Sequence, residues 1–282
     1  MSATSRVWFI TGCSSGLGRA LAERALASGH RVIATARQSE QLDELIAAYP
    51  DTCRTLALDV TSAAAVRAAV SAGANAFGRL DVVVNNAGFG LVGAFEELGS
   101  DQIARNFDTN FFGALEVIRA ALPILRAQER GHIVNISAAA VISNYAGFSI
   151  YGAAKWALEG VSESLAAELR PLGIRVTIVQ PGPFRTDFIH RSLVHGERRI
   201  ADYDRTSGKF AHMLDALAGK QPGDPDKAAA AIIAAVESDT PPLRLVLGKY
   251  ATDKTRRKLA NAEKELTAWE GIGLPTDYTH TP

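Results

Sequence analysis

Short apolar runs alternate along this chain with longer stretches in which apolar residues recur at helical spacing. The short runs are rich in Val and Ile and have the length of buried strands, whereas the longer stretches are rich in Ala. This alternation is typical of a parallel sheet whose crossover helices cover both faces. The predicted strands are 7–11, 31–35, 55–58, 82–85, 132–137, 175–180 and 243–247, and the predicted helices are 19–27, 63–77, 102–126 and 155–169.

The pattern predicts an α/β fold: one doubly wound domain over residues 1–282 with a seven-stranded parallel sheet. No repeat, low-complexity tract or Gly/Ser-rich linker marks a second domain. The segment 187–225 is long for a connection within a compact domain. We interpret it as a substrate lid, with small helices packed on the body as the alternative. Residues 250–282 are predicted to form a C-terminal helical extension.

Composition narrows the functional classes. An apolar content of 47% over 282 residues suffices for a core without disulfides, so Cys13 and Cys53 are expected to be free thiols. The formal net charge is zero, which argues against nucleic-acid or anionic-membrane partners. No secretory signal or bilayer-length apolar run is evident, so a cytoplasmic location is expected. His190, His195 and His212 have no ligand-pair spacing, and no metal is predicted.

A glycine-rich segment connects the first predicted strand to the first predicted helix. Glycines there allow a tight turn and a close backbone approach to pyrophosphate, and the helix N-terminus presents free amides. This predicts a Rossmann-type dinucleotide site, the alternative being a helix entry that only needs flexible residues. The same letters match a serine-hydrolase elbow, but too little chain precedes them to complete an oxyanion hole. The predicted phosphate-binding residues are Gly12, Ser14, Ser15, Gly16, Leu17 and Gly18.

The end of the second predicted strand bears on which dinucleotide is bound. NAD enzymes place a carboxylate there to bind the ribose 2′-hydroxyl, whereas this chain has Ala36 followed by Arg37. Ala36 leaves room for a 2′-phosphate and Arg37 offers a planar set of donors to it. The sequence therefore favours NADP(H) over NAD(H), with a solvated surface arginine as the alternative reading of Arg37.

Two Tyr-x-x-x-Lys pairs occur in the chain, and four-residue spacing places both side chains of a pair on one helix face. In the first pair, Tyr151 and Lys155, an ammonium beside a phenol favours phenolate and suits acid-base catalysis. The second pair, Tyr250 and Lys254, follows the last predicted strand. We interpret it as structural, because a sheet edge there should lie far from the dinucleotide crevice.

Several further motifs follow in order along the chain: Asn85-Asn86-Ala87-Gly88, Asn110, Asn135-Ile136-Ser137 and Pro181-Gly182. Together with the glycine-rich segment and Tyr151/Lys155, this series resembles the short-chain dehydrogenase/reductase family over about residues 7–247. The Thr-Gly-Cys-Ser-Ser-Gly and Ala-Thr-Ala-Arg segments resemble the branch that contains hydroxysteroid and retinol dehydrogenases.

The resemblance implies an NADP(H)-dependent oxidoreductase that interconverts an alcohol and a ketone or aldehyde by hydride transfer. Tyr151 would exchange the proton, Lys155 would lower its pKa and hold the nicotinamide ribose, and Asn110 would order a helix kink and a relay water. Asp59 could instead cap a helix, and Asn110 could be an ordinary buried amide. The implied cofactor-binding residues further include Asp59 and Val60 at the adenine, Asn86, Ala87 and Gly88 in the cleft, and Phe184 and Thr186 at the carboxamide.

The family's serine, which binds the substrate oxygen, has an uncertain counterpart in this sequence. An ungapped count from Tyr151 reaches Ala138, whereas Ser137 lies one residue earlier and its side chain would point to the opposite face of the strand. A one-residue insertion or bulge before Tyr151 would be needed to bring Ser137 into the role. Ser137 is therefore a candidate catalytic residue, with Ala138 as the alternative occupant.

The expected partners follow from these inferences. Apolar residues in 187–225 suggest a small hydrophobic carbonyl or alcohol substrate. The helices 102–126 and 155–169 have more than one apolar face, as in family members that associate through them, so a homodimer or homotetramer is expected. The alternative function is a catalytically weak or inactive NADP(H)-binding sensor or scaffold. This alternative is considered because an ungapped count places Ala138 where the family has its serine.

Overall fold

The computed structural model describes residues 5–278, which form the predicted α/β domain. Seven strands make one parallel sheet in the order β3-β2-β1-β4-β6-β7-β9, and β5 pairs with β8 in a small parallel sheet. The strands are β1 (Val7–Ile10), β2 (Arg31–Ala36), β3 (Cys53–Ala57), β4 (Val82–Asn85), β5 (Gly90–Val92), β6 (Gly131–Ile136), β7 (Ile174–Pro181), β8 (Leu193–His195) and β9 (Arg244–Leu247). The seven-stranded parallel sheet predicted from the sequence is confirmed.

The helices cover both faces of this sheet, as the crossover pattern requires. One short π-helical turn, Asp108–Phe112, joins α4 to α5, and a second, Asp204–Gly208, precedes α9. The α-helices are α1 (Gly16–Ala27), α2 (Asp43–Ala48), α3 (Ala63–Phe77), α4 (Ser100–Phe107), α5 (Gly113–Ala127), α6 (Ala139–Ile142), α7 (Ser149–Leu169), α8 (Phe188–Arg191), α9 (Lys209–Leu217), α10 (Pro225–Glu237) and α11 (Lys249–Gly273).

The apolar residues of β1 show how the sheet builds two cores. Trp8 and Ile10 pack in the layer that contains α1 and α10, whereas Val7 and Phe9 pack in the layer that contains α3 and α5. Because successive side chains of a strand point to opposite faces, a fully apolar strand indicates burial on both. Each fully buried large side chain contributes about 1.5 to 3 kcal/mol to folding.

The predicted helix 102–126 is interrupted in the structure. A π-helical turn at Asp108–Phe112 separates α4 from α5. The side-chain amide of Asn110 donates to the Asn106 carbonyl at 3.0 Å and to the Phe89 carbonyl at 2.9 Å. A side chain that takes a carbonyl of the preceding turn is typical of such widened turns. The hydrophobic pattern alone did not reveal this interruption, whereas the family resemblance implied a helix kink at Asn110, which lies within the π-helical turn.

The segment 187–225 contains α8, β8 and α9. Strand β8 pairs with β5, so Leu193 lies beside Gly90, just beyond the carboxyl end of β4. The C-terminal extension predicted over 250–282 contains α11, and residues 279–282 lie outside the described part. Within residues 5–278, no helix combines the length and apolar character needed to cross a bilayer.

Candidate active site

The glycine-rich loop between β1 and α1 is held to the end of β4 by side-chain hydrogen bonds. The amide of Asn86 donates to the carbonyls of Thr11 at 2.8 Å and Gly12 at 3.0 Å. The Thr11 hydroxyl accepts from the backbone N–H groups of Asn86 and Ala87. A β-carbon at Gly18 would lie 2.4 Å from the Gly12 carbonyl oxygen, so only glycine fits there. The predicted loop residues and Asn86 thus share one site.

The segment after β7 lies over the same loop. A β-carbon added to Gly16 would come within 3.6 Å of the Thr186 side chain, which places Thr186 against the start of α1. Phe184 forms a β-bridge with Gly223, near the end of the segment predicted as a lid. Gly12 and Gly16 have φ values of +73° and +63°, which favour glycine. Ser14 and Ser15 lie in the turn between them and Leu17 follows in the first turn of α1; all three are partly buried.

The residues predicted for the adenine end meet at the carboxyl edge of β2 and β3. The Asp59 carboxylate accepts from the N–H of Thr61 at 2.9 Å and from its hydroxyl at 2.7 Å. These bonds lower the pKa of Asp59, with a smaller contribution from Arg37. Arg37 is exposed and forms no ion pair with any described residue. Val60 is buried against Gly113.

Tyr151 and Lys155 lie one turn apart on α7, and both are buried. The Lys155 ammonium donates to the Ile136 carbonyl at 2.9 Å. A β-carbon at Gly88 would lie 3.4 Å from Lys155 Nζ and 2.4 Å from Asn110 Oδ1. Asn110 Oδ1 is buried and has no hydrogen-bond partner among residues 5–278. Lys155, Asn110 and Gly88 therefore converge beside the glycine-rich loop, and Asn110 Oδ1 can accept a hydrogen bond from a water or a ligand.

Burial shifts the pKa values of Tyr151 and Lys155 in the directions that favour the neutral form of each side chain. It raises the pKa of the Tyr151 phenol and lowers the pKa of Lys155 to about 8. The first shift is opposite in direction to the effect expected from a neighbouring ammonium alone. It keeps Tyr151 protonated at neutral pH, the form that can donate a proton.

Lys155→Met is expected to stabilise the nucleotide-free protein at pH 7, by on the order of 1 to 3 kcal/mol, because burying the ammonium disfavours folding. Below pH 8 Lys155 is charged in both the folded and the unfolded protein, so the buried ammonium lowers the free energy of unfolding by its full amount. As the pH rises from about 8 to the ordinary value of 10.5, the folded protein loses the proton first and the destabilisation disappears. Urea unfolding of both proteins between pH 7 and 10.5 should show that the difference between their free energies of unfolding becomes smaller as the pH rises. A difference that stays constant with pH would contradict a lowered pKa of Lys155 in the folded protein.

The structure does not bring Ser137 to Tyr151. The Ser137 hydroxyl donates to Glu159 Oε1 at 2.6 Å, inside the protein. Ala138 instead packs in one apolar cluster with Tyr151, Phe148 and Phe210. The two neighbours thus point to opposite faces, as they do on an extended strand without a bulge.

Glu159 explains why Ser137 points inward. Its two carboxylate oxygens each accept from Gln180 Nε2 at 2.9 Å, and Arg244 Nε lies 3.4 Å from Oε2. A buried carboxylate is tolerated where donors surround it, and Ser137 supplies one of them. Glu159 lies two turns beyond Tyr151 on α7, so this network ties α7 to β7, β9 and the residue that follows β6. Sequence reasoning missed Glu159.

An aromatic cluster surrounds Tyr151. Phe148 packs at 5.1 Å between ring centroids and Phe188 at 6.4 Å. Phe210 packs on Phe148 and stacks on Tyr145, both at 4.8 Å. Phe188 and Phe210 belong to the segment predicted as a lid, whereas Tyr145 and Phe148 were missed. The sequence signal that could have found them is that two aromatic residues, Tyr145 and Phe148, shortly precede Tyr151.

The position inferred for Tyr250 and Lys254 is wrong. The Tyr250 hydroxyl shares a hydrogen bond with the Tyr145 hydroxyl, and Lys254 Nζ lies 3.1 Å from the centroid of the Tyr145 ring. Since Tyr145 belongs to the cluster around Tyr151, this pair lies behind the site wall. The inference failed because α11 turns back from β9 across α6.

Comparison with known proteins identifies the family. A family model described as short chain dehydrogenase matches residues 6–195, more than half of the chain. The chain belongs to the short-chain dehydrogenase family. The protein is accordingly an oxidoreductase that acts on CH–OH groups, and the predicted family resemblance is confirmed.

Individual relatives of this short-chain dehydrogenase match almost end to end. Oxidoreductase BOA17 of Botryotinia fuckeliana is 40% identical over 96% of this chain and 98% of its own length. Human retinol dehydrogenase 8 is 35% identical over 86% of this chain and 82% of its own, which supports the predicted branch. A short-chain dehydrogenase structure from Streptomyces avermitilis is 42% identical, covers 98% of this chain and 100% of that one, and superposes with a TM-score of 0.92.

Structural neighbours hold nicotinamide cofactors. A metagenomic short-chain oxidoreductase in complex with NADP is 27% identical, covers 88% of this chain and 98% of that one, and has a TM-score of 0.69. A Burkholderia phymatum structure in complex with NAD has a TM-score of 0.79 over 100% and 99% of the two chains, and at 23% identity it shows the fold alone. These neighbours support a nicotinamide cofactor without distinguishing the two dinucleotides.

The residues present fit such a cofactor. The glycine cradle at Gly12, Gly16 and Gly18 leaves the start of α1 open to a phosphate group, and Asn110 Oδ1 is a buried acceptor without a partner. Across residues 5–278, no group of three or more His, Cys, Asp or Glu side chains is arranged to hold a metal ion.

Proposed function

We propose that this short-chain dehydrogenase uses NADP(H) to interconvert a hydrophobic alcohol and the corresponding ketone or aldehyde. The observation that carries the proposal is the convergence of Tyr151, Lys155 and Asn110 beside a glycine cradle for phosphate. Groups that exchange a proton and groups that hold a dinucleotide thus occupy the same carboxyl edge of the sheet, where ligands bind in open α/β folds.

Each residue has a distinct role in the proposed reaction. When bound in the glycine cradle, NADPH would be the source of the hydride for the carbonyl carbon. Tyr151 gives its phenolic proton to the carbonyl oxygen, which completes the alcohol, and takes the proton back in the oxidation. Lys155, fixed by the Ile136 carbonyl, holds the cofactor ribose and favours phenolate after transfer. Asn110 Oδ1 accepts from a water that resupplies the proton through Lys155.

The remaining predicted residues would hold the cofactor. Gly12 to Gly18 bind the pyrophosphate at the start of α1, with Ser14, Ser15 and Leu17 beside it. Asn86, Ala87 and Gly88 line the cleft at the end of β4. Asp59 and Val60 lie at the adenine, and Phe184 and Thr186 close over the nicotinamide side.

Ser137 is left out of the proposed catalytic set because its hydroxyl is bonded to Glu159. Ala138, which packs with Tyr151, is assigned to the position where the family has its serine. The substrate oxygen would then be held by Tyr151 without a second side-chain hydroxyl at this position. Loss of one such donor slows a reaction by about 10²- to 10³-fold without abolishing it.

The substrate class follows from the walls of the site. Phe148, Phe188, Phe210 and Leu193 surround Tyr151 with apolar surface. Pockets of this kind bind ligands chiefly by burying apolar area and use few polar contacts. A hydrophobic carbonyl compound is therefore the expected substrate, with the 187–225 segment as its lid.

Arg37→Ala is expected to weaken NADPH binding about tenfold or more, because charge-assisted bonds to the 2′-phosphate are lost. NADH, which lacks that phosphate, should bind within about threefold of its original affinity. Fluorescence titration with both nucleotides measures this difference. Arg31→Ala, at the opposite end of β2, is the matched control. Equal losses for the two nucleotides would exclude Arg37 as the selective residue.

The direct test of the function is NADPH oxidation against a panel of hydrophobic ketones and aldehydes. Turnover that depends on both cofactor and substrate is the expected result. The second candidate, an NADP(H)-binding sensor or scaffold, is favoured by Ala138 beside Tyr151. Tight NADPH binding with no turnover across the panel would support it over the enzyme.

Association through α4, α5 and α7 remains a prediction. Phe112 and Trp156 are 52% and 53% exposed at the start of α5 and on α7. Apolar side chains on these helices would be covered in a homodimer or homotetramer.

A further inference from the structure

The side chain of Phe210 fills a slot in the aromatic cluster around Tyr151. Its ring stacks on Tyr145, with the centroids 4.8 Å apart and the planes 12° from parallel, and meets Phe148 edge to face at 4.8 Å and 81°. Gly147 has a φ of +95°, and a β-carbon added there would lie 3.3 Å from Phe210 Cδ1. Glycine at this position therefore leaves the slot open to a flat ring.

The slot adjoins the proposed proton donor. Phe148, which forms one wall, also packs on the Tyr151 ring with the centroids 5.1 Å apart. The buried cluster of which Tyr151 is a member contains Ala138, Phe148 and Phe210, and Tyr145 packs against it. The slot is thus part of the apolar wall around Tyr151, where the apolar body of a substrate is expected to lie.

The Tyr145 wall of the slot is held from behind by a lysine. Lys254 Nζ lies 3.1 Å from the centroid of the Tyr145 ring, and it has no hydrogen-bond partner among residues 5–278. A ring stacked at 4.8 Å leaves no room for Nζ on the same face, so Lys254 and Phe210 lie on opposite faces of Tyr145. This cation–π contact fixes the orientation of the Tyr145 ring independently of what occupies the slot.

The segment that carries Phe210 is held on the domain at few points. Between residues 204 and 220, only Ser207 and Phe210 are buried. The chain just before this segment is fixed, because the buried Glu97 carboxylate accepts from the N–H of Ile200 at 2.8 Å. Elements with few buried contacts open at a low free-energy cost. Phe210 can therefore leave the slot while the walls of the slot stay in place.

We propose that the aromatic ring of a substrate takes the place of Phe210 in this slot, a refinement that rests on the proposed function. The preferred substrates are then carbonyl compounds, and the corresponding alcohols, that carry an aromatic ring. Such a ring would stack on Tyr145 and meet Phe148 edge to face, and aromatic pairs in these arrangements gain affinity beyond their buried area. A saturated ring has no π face and is thicker, so it gains less from the same walls.

The first experiment measures ring binding to the protein without nucleotide. Acetophenone and cyclohexyl methyl ketone share one carbon skeleton, and NMR saturation-transfer titrations give both dissociation constants. The wild type should bind acetophenone about 3- to 10-fold more tightly than the saturated ketone. Phe210→Ala should bind acetophenone about tenfold more tightly than the wild type does, because the side chain at position 210 no longer competes for the slot. Met213→Ala, at a 50% exposed position of α9, should leave both constants unchanged.

Phe210→Leu is a second variant that keeps an apolar contact between α9 and the domain but removes the flat ring. It should bind acetophenone about threefold more tightly than the wild type does. Unchanged or weaker acetophenone binding in both variants would show that Phe210 is a fixed part of the fold and would overturn the proposal. Equal affinities of the wild type for the two ketones would also overturn it.

The second experiment connects the slot to catalysis. With saturating NADPH, KM for acetophenone should fall in Phe210→Ala by about the same factor as the dissociation constant, and kcat should stay within about threefold of the wild-type value. Tighter acetophenone binding without a lower KM would place the slot outside the substrate site and refute the inference. If neither ketone is turned over, the proposed function is contradicted instead, and the titrations alone decide whether the slot takes an aromatic ring.

Discussion

Tyr151→Phe is expected to lower kcat/KM for carbonyl reduction by about 10²- to 10⁴-fold, the usual contribution of a positioned acid-base group. The phenyl ring keeps its packing against Phe148 and Phe188, because the change removes only the hydroxyl oxygen. NADPH affinity should therefore stay within about threefold of the wild-type value. Steady-state kinetics with one ketone substrate and a separate NADPH titration measure the two quantities.

The matched control is Tyr250→Phe, which changes the tyrosine of the second Tyr-x-x-x-Lys pair. It breaks the hydrogen bond to Tyr145 behind the site wall but leaves the proposed proton donor intact. Its kcat/KM should fall by no more than about threefold. Retention of most of the activity in Tyr151→Phe would remove Tyr151 from the mechanism, whatever the control does.

Ala138→Ser is expected to raise kcat by about 10- to 100-fold, because it adds a hydroxyl donor on the face that packs with Tyr151. A donor aimed at the substrate oxygen stabilises the charge that develops there during hydride transfer. The variant should change KM less than kcat, since the bond strengthens in the transition state. Kinetics under saturating NADPH separate the two effects.

Ser137→Ala is the complementary variant, because it removes the hydroxyl at position 137 whereas Ala138→Ser adds one at position 138. It removes one donor from the buried Glu159 carboxylate and should destabilise the fold by about 1 to 3 kcal/mol in urea unfolding. Its kcat should remain within about threefold of the wild type, because the hydroxyl points away from Tyr151. A large loss of kcat in Ser137→Ala, with no gain in Ala138→Ser, would restore Ser137 as the catalytic serine.

The Glu159 network bears on how rigidly the site is held. Tyr151, Lys155 and Glu159 follow one another at four-residue intervals on α7, so the proposed catalytic pair and the anchor share a helix face. Glu159 bonds to Gln180 on β7, to Arg244 on β9 and to Ser137 just after β6. Buried, fully bonded carboxylates fix the position of the elements they join. Ser137, whose hydroxyl is the only one between Ile136 and Ile142, therefore has a structural role as a donor to Glu159.

Local sequence was sufficient for the sheet and for the candidate cofactor loop. The predicted strands are apolar on both faces, and a parallel sheet covered by helices on both sides buries both faces of each strand. The glycines at 12, 16 and 18 and the Tyr151/Lys155 spacing are readable because backbone conformation and helix periodicity depend on near neighbours. Helix α10 was missed although Pro225 and the capping Asp224 mark its start.

Contacts between distant segments decided the rest. The inward direction of Ser137 depends on Glu159, Gln180 and Arg244, and the π-helical turn at Asn110 depends on the Phe89 carbonyl. The place of Tyr250 behind Tyr145 depends on the path of α11 after β9. The sequence by itself determined the sheet, the glycine cradle and the Tyr/Lys spacing, since these arise within a strand or a few helical turns. Only the tertiary structure decided which side chains meet at the site, because residues far apart along the chain become neighbours only when the domain folds.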